Sequence, residues 1–299
     1  MKKAVMTNFK ASVNRGEYAS ENVESWRALM ETLKSSEEEV ILQFGEGEYF
    51  FNEAIEVISN ITIKGAIMNG EKMTTLTFIH PGSGIVTGLK IQPIEGVVSD
   101  TLTNVSFKDI QIQYATFDDT VPALTYEEED PAKNYSLITL LRPYRHSYNE
   151  YSGLSNISFT NVHINANERG HVALNLGGIK NLIVENCRVE GSGYGNGIGV
   201  EYSEGVSIKN NIVHNTGRAG VQLYRGNKNV VVEGNRVTDW MQRYGVYHYF
   251  YVNNEEKVTE MFDAGIDSYG PHNDGIQILN NMVQVGDAYM DENPCNKKN

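Results

Sequence analysis

Cysteine is scarce in this chain. Cys187 and Cys295 are the two in 299 residues, so neither a disulfide framework nor a cysteine-spaced metal site can be built. Basic residues are outnumbered, 25 Lys and Arg against 38 Asp and Glu, for a net charge of -13. A nucleic-acid partner is therefore not expected, because phosphate neutralisation needs clustered Lys and Arg. An acidic sugar polymer stays open, since a local basic patch would meet it. No apolar run approaches the roughly 20 residues of a membrane helix, so no membrane span is expected. The start MKKAVMTNFKAS shows no apolar signal-peptide core, which leaves the compartment undecided. What the chain does have is a globular composition, 40% apolar and 21% charged.

It also has a repeat. Seven segments share one pattern: ITIKGAIM (61–68), VSFKDIQI (105–112), ISFTNVHI (157–164), LIVENCRV (182–189), VSIKNNIV (206–213), VVVEGNRV (230–237) and IQILNNMV (276–283). The first, third and eighth residues are apolar in each. Four starts in succession, at 157, 182, 206 and 230, fall about 24 residues apart and the longer gaps are near two units, a period that belongs to β-solenoid coils. Within a unit the first and third residues alternate with polar ones, the signature of a strand with one buried face. A second short strand follows in HVALNL (171–176), GIGVEY (197–202), GVQLYR (220–225) and GIDSYG (265–270). Alternation places Val172, Ile198, Val221 and Ile266 inward and Ala173, Gly199, Gln222 and Asp267 outward. The fifth column (Gly65, Asp109, Asn161, Asn186, Asn210, Gly234, Asn280) and the sixth (Asn211, Asn235, Asn281) read as turn ladders. Asparagine tolerates left-handed geometry and bonds to its neighbour one coil away.

Two segments break the period. FDDTVPALTYEEEDPAKNYS (117–136) is acidic and reads as a loop leaving the coil. DWMQRYGVYHYFYVNNEEKVTEMF (239–262) gathers Trp240, Tyr244, Tyr247 and further aromatics, which suit either stacking on sugar faces or a small satellite core. The last unit ends near Val285, and an open solenoid end exposes strand edges that a tail, further chain or a second copy must cover. Homo-oligomer formation through that end is therefore an expectation.

The repeat, the ladders and the N-terminal segment resemble right-handed parallel β-helix proteins of the pectin-lyase-like superfamily. In that family an amphipathic helix caps the first coil and a strand and a glycine-tyrosine turn follow. ENVESWRALMETLKSS (21–36) carries Val23, Trp26, Leu29, Met30 and Leu33 at helical spacing, and EVILQFGEGEYFF (39–51) and SNITIKG (59–65) follow in that order. The resemblance implies one β-helix domain of about ten coils: a cap over 1–58, coils over 59–285 and a tail over 286–299. It also implies a secreted or cell-surface setting. The same fold hosts lyases, hydrolases, epimerases and non-catalytic phage and surface proteins.

Candidate chemistry lies on the outward face of the second strands and the turns beside them. Counting three residues back from the inward column gives Arg169, Gly195, Arg218 and Asp263. Counting forward gives Asp267, then Asn175, Glu201, Tyr224 and Tyr269. Arg218 and Asp263, on adjacent coils, make either an acid-and-anchor pair or a surface salt bridge. Hydrolysis wants two carboxyls roughly 5–9.5 Å apart, whereas Glu201 and Asp267 are two coils and two residues apart, about 12 Å between backbones. A uronate lyase or epimerase needs a base and a group that neutralises the sugar carboxylate, and Arg218, Arg225, Lys228, Arg243 and His272 supply the positive groups. The polygalacturonase-like branch of the family carries an Asp-Asp and a Gly-His-Gly that these coils lack. The alginate epimerase branch carries Tyr-Gly-x-Asp-Pro-His-Asp/Glu; Tyr269-Gly270-Pro271-His272-Asn273-Asp274 is similar but lacks the aspartate before the proline, which is catalytic there. The expected catalytic set is Asp267, Asp263, His272, Arg218 and Glu201. The expected sugar-binding set is Tyr269, Tyr224, Arg225, Arg243, Tyr244, Tyr247 and Trp240. No cofactor is expected, Ca2+ being supported by no specific motif. The chain is expected to be a carbohydrate-active enzyme on an acidic polysaccharide, working by lyase- or epimerase-like proton abstraction or by glycoside hydrolysis; the alternative is a non-catalytic glycan-binding or phage-tail or surface β-helix module.

Overall fold

Each repeat folds into one coil of three short strands, and the coils stack so that equivalent strands pair in parallel. The computed structural model describes residues 3–34, 38–79, 84–87, 101–116, 136–141, 153–169, 171–193, 195–240, 265–268 and 270–285. Among the described residues the stacks form three parallel sheets of nine, eight and seven strands. The first sheet is built from the opening residues of each repeat. Ile61, Val105, Ile157, Leu182, Val206, Val230 and Ile276 stand in one register column. The second sheet takes the eighth column, with Ile112, Ile164, Val189, Val213, Val237 and Val283 in register. The third holds the short strands that carry the candidate chemistry.

One copy departs from the pattern. Met68 is half exposed in a two-strand antiparallel hairpin, Ile67–Met68 with Glu71–Lys72. Leu76 pairs with Ile112 in its place. The inward columns make one continuous core of Ile, Val, Leu and Phe. Within it Phe107 and Phe159 stack at 4.8 Å between centroids, 4° from parallel. The helix Ala19–Leu33 closes the first coil by burying Val23, Trp26 and Met30, and Trp26 Nε1 donates to the Glu56 carbonyl at 2.7 Å.

The turns explain the asparagines. Asp109, Asn161, Asn186, Asn210 and Asn280 all have φ between 53 and 57°, a left-handed corner that asparagine tolerates and a β-branched residue does not. Asn211 and Asn235 are buried beside it, and each satisfies backbone groups of the coil before it. Asn211 Oδ1 accepts from Cys187 N at 2.8 Å while its Nδ2 donates to the Val184 carbonyl at 2.9 Å. Asn235 repeats the arrangement on Asn211 N and Ile208 O. A further ladder, unforeseen, runs along the entrance of the first sheet, where Asn104 donates to Asn60, Asn156 to Asn104 and Asn181 to Asn156 at 2.8–3.0 Å.

At the far end of the described residues, Ile278 and Val283, on inward columns, are 44% and 46% exposed; the alternation that predicts their burial holds in direction, with no further coil over them among the described residues.

Candidate functional site

The third sheet fixes which outward residues lie side by side. Leu174 pairs with Ile198, Ile198 with Val221 and Val221 with Ile266. The inward residue of HVALNL is thus Leu174, two positions beyond the expected Val172. The outward column that follows is Thr139, Asn175, Gly199, Gln222 and Asp267. The shift also replaces Arg169 by His171 in the column that leads to Gly195 and Arg218. A Cβ added to Gly195 would stand 2.6 Å from His171 Cδ2 and 2.3 Å from its carbonyl, and Arg218 N donates to Gly195 O at 2.8 Å. His171 retains some surface, but its imidazole is enclosed. Burial first, and the Arg218 charge second, push it down to about 4. It is a neutral ring at physiological pH, and sequence reasoning missed it because the two-residue slip hid it.

Asp267 is reached through a polar relay. Asn196 Nδ2 donates to Gln222 Oε1 at 2.8 Å, and Gln222 Nε2 donates to Asp267 Oδ2 at 3.3 Å. Gln222 points away from the core yet is 3% exposed. Asn196 Oδ1 is buried as well, with no donor near it among the described residues.

Glu201 stands one strand before Gln222 and two residues further along, in register with Gly177. The missing side chain at Gly177 lets two others close over the backbone. A Cβ there would meet Leu141 Cδ2 at 2.8 Å and Glu201 Cγ at 3.0 Å. Burial of this kind disfavours the charged form and pushes the Glu201 carboxyl up to about 7. Arg225 Nε lies 3.7 Å from Glu201 Oε2, beyond hydrogen-bond length. Its guanidinium instead spreads over the Tyr202 and Tyr224 rings, 5.2 and 4.9 Å from their centroids.

The structure therefore brings together Glu201, Arg225 and Tyr224, and separately links Asp267 through Gln222 to Asn196 on the same face. Arg218 is placed beside His171, at the opposite edge of the same face. His272 sits exposed in the turn after Asp267, at φ 68°. Trp240 corrects its expectation. It ends the strand Arg236–Trp240, is 7% exposed and belongs to the core. Its ring underlies Gly265, whose added Cβ would stand 3.0 Å from Trp240 Nε1. Packing, not sugar stacking, is what that geometry serves. Asp263, Tyr269, Arg243, Tyr244 and Tyr247 lie outside the described residues, as do nearly all of both period-breaking segments. Among the described residues no three His, Cys, Asp or Glu side chains converge as metal ligands would.

The second sheet carries charged groups that no motif announced. His163 Nε2 meets Glu190 Oε1 at 2.7 Å and Arg188 Nε donates to Glu190 Oε2 at 2.8 Å. Burial alone would raise Glu190. The hydrogen bonds and charges of His163 and Arg188 more than offset it and hold the carboxyl at about 2.

Comparison with known proteins bears on the scaffold. Among solved structures the chain is similar to the A-module of the mannuronan C-5 epimerase AlgE6 of Azotobacter vinelandii, at 16% identity and a TM-score of 0.27, covering 74% of this chain and 73% of that one. It is similar to ORF18 of Geobacillus virus E2, at 14% identity and 0.28, over 92% and 61%. A third is the A-module of AlgE4 from Azotobacter vinelandii, at 12% and 0.28, over 94% and 93%. Similarity at this level carries no inference about chemistry. No curated protein matches the sequence significantly. Residues 145–283 match the family described as right handed beta helix region. With three sheets of stacked parallel strands, the fold is a right-handed parallel β-helix.

Proposed function

We propose that the outer face of the third sheet is the active site of a carbohydrate-active enzyme that moves a proton on an acidic polysaccharide, in the manner of a lyase or an epimerase. The observation that carries this reading is Glu201, an outward carboxyl that burial holds at about 7 next to a cation and two aromatic rings. A group with that pKa accepts and returns protons near neutral pH with little driving-force penalty. In the reading, unprotonated Glu201 removes the proton from the carbon bearing the sugar carboxylate. Arg225 neutralises the charge that develops on that carboxylate. The electron pair then either expels the neighbouring glycosidic oxygen, which takes the proton from Glu201 and leaves an unsaturated sugar, or takes a proton from solvent on the opposite face while Glu201 gives its own to water. Tyr224 supplies a stacking surface, and the relay through Gln222 to Asp267 offers hydrogen bonds to sugar hydroxyls. Asn196 Oδ1, a buried acceptor lacking a donor among the described residues, is suited to a hydroxyl of the same ligand.

Proton abstraction fits better than hydrolysis because Glu201 and Asp267 are two strands and two residues apart. That is about 12 Å between backbones, so a hydrolytic pair would need both side chains to lean together to reach the carboxyl spacing of either class. The test is to incubate the chain with polymers of several uronic acids and follow unsaturated ends by ultraviolet absorbance and sugar configuration by proton NMR. One polymer is expected to react, and Glu201→Gln to lower kcat by about 100-fold or more. Arg225→Gln should act mainly on kcat/KM. Undiminished turnover in a folded Glu201→Gln, or no reaction of the parent on any uronate, would overturn the reading.

A further inference from the structure

The outer face of the first sheet carries a charge column with a break in it. In register run Gln43, Lys64, Lys108, Thr160, Glu185, Lys209 and Glu233. Over its last three members the sign alternates, and Lys209 Nζ lies 2.9 Å from Glu233 Oε2. Cross-strand pairs favour that arrangement and penalise like charges set directly opposite. Lys64 and Lys108 are such a like-charged pair, on a chain whose acids outnumber its bases 38 to 25. Among the described residues neither ammonium has an ion-pair or hydrogen-bond partner.

A second feature coincides with the break. A depression of about 330 Å³ opens between these lysines and the hydroxyls of Thr62, Ser106, Ser158 and Thr160. Thr62, Ser106 and Ser158 stand in one register column, and Ile41 and Ile183 occupy that column on either side. The floor is therefore three adjacent hydroxyl residues, on the order of 10 Å from first to last at ordinary strand spacing, walled by an isoleucine at each end. Ser106 Oγ and Ser158 Oγ share one hydrogen bond at 2.7 Å, which uses one of their two protons and leaves the other to donate.

We infer that this depression binds an anionic saccharide. The sugar ring lies on the hydroxyl floor, and its carboxylate or sulfate sits between the Lys64 and Lys108 ammonium groups, whose mutual repulsion it relieves. The site lies on a different sheet from Glu201 and stands independently of the proton-transfer reading, although one long polymer could engage both.

The test is calorimetric titration of the full chain with a uronate tetrasaccharide, a sulfated tetrasaccharide and a neutral one. The parent is expected to bind at least one anionic sugar, and which one distinguishes carboxylate from sulfate. Lys64→Thr with Lys108→Thr should weaken that binding roughly tenfold or more, whereas Lys209→Thr, whose charge already serves Glu233, should leave it unchanged. Lys108→Glu should abolish binding while the melting temperature holds or rises, because the charge column then alternates more fully. Equal affinity in the parent and the double threonine variant, equal binding of the neutral sugar, or no binding of either anionic sugar would overturn the inference. Failure of the proton-transfer reading shows separately, as unchanged turnover in Glu201→Gln, which leaves the lysines intact.

Discussion

Glu190 and Glu201 belong to consecutive strands, both face outward and both are largely buried, yet their carboxyls are displaced in opposite directions. Glu190 has His163 and Arg188 at hydrogen-bond distance, so its folded-state value of about 2 lies below the ordinary 4.5. It favours folding at pH values above 4.5, and that contribution is lost as the pH falls toward 2. Glu201 is desolvated by the Leu141 contact over Gly177 without a bonded cation, so its folded value of about 7 lies above 4.5. Its protonated form favours folding below 4.5, and that advantage disappears as the pH rises through 7. Glu201→Gln should therefore match the parent in stability near pH 5. By about pH 8 it should exceed the parent by up to about 3 kcal/mol, read by chemical denaturation at the two pH values. Glu190→Gln should do the reverse, weakening the fold at neutral pH by roughly 1–3 kcal/mol, with the deficit shrinking in acid.

At the scale of the coil, stability rests on side chains that satisfy the backbone at corners. Asn211→Ala would strand the Cys187 amide and the Val184 carbonyl in the interior, a cost of about 2–5 kcal/mol in thermal or denaturant unfolding. Asn181→Gly, on the exposed ladder, should cost under about 1 kcal/mol, since glycine already holds the equivalent corners at Gly205 and Gly275 with φ of 69° and 64°. The buried ladder was legible in the repeated Asn-Asn of 210–211 and 280–281, because few residue types serve a left-handed corner. The register of the third sheet was not. Val172, Leu174 and Leu176 share one parity, so alternation alone cannot say which of them opens the strand. The inward column starts at Leu174, with His171 where Arg169 was expected, and in the corner before it the faces are reversed: Ala173, expected outward, is in the core, and Val172, expected inward, lies beside the outward Gly199. Met68 was misplaced for a related reason: the hairpin at 67–72 interrupts one copy, and the apolar residue that completes the coil is Leu76. Trp240 looked like a member of the aromatic segment that follows it, but its place at the end of a paired strand makes it core. For the site, Glu201 and Asp267 were visible as outward acids. What sequence could not supply was the environment that separates them, since burial of Glu201 depends on Leu141 and Gly177, residues from two other coils.

Over the whole molecule, each sheet presents a different outer surface on a shared apolar interior. The first offers hydroxyls and a lysine pair, the second bonded carboxylates and imidazoles, the third a desolvated acid beside an arginine that lies over two aromatic rings. The stack that aligns these columns is rigid at the strand spacing, so a long polymer lying across the coils would meet side chains at a regular interval. The central claim is that this scaffold holds one outward carboxyl ready to exchange a proton near neutral pH. It is tested most directly by NMR titration of the protein labelled with carboxyl carbon-13 glutamate, with the Glu201 resonance assigned by its loss in Glu201→Gln. A midpoint near 7 is the predicted result. A midpoint at the ordinary glutamate value of roughly 4.3 would contradict the account.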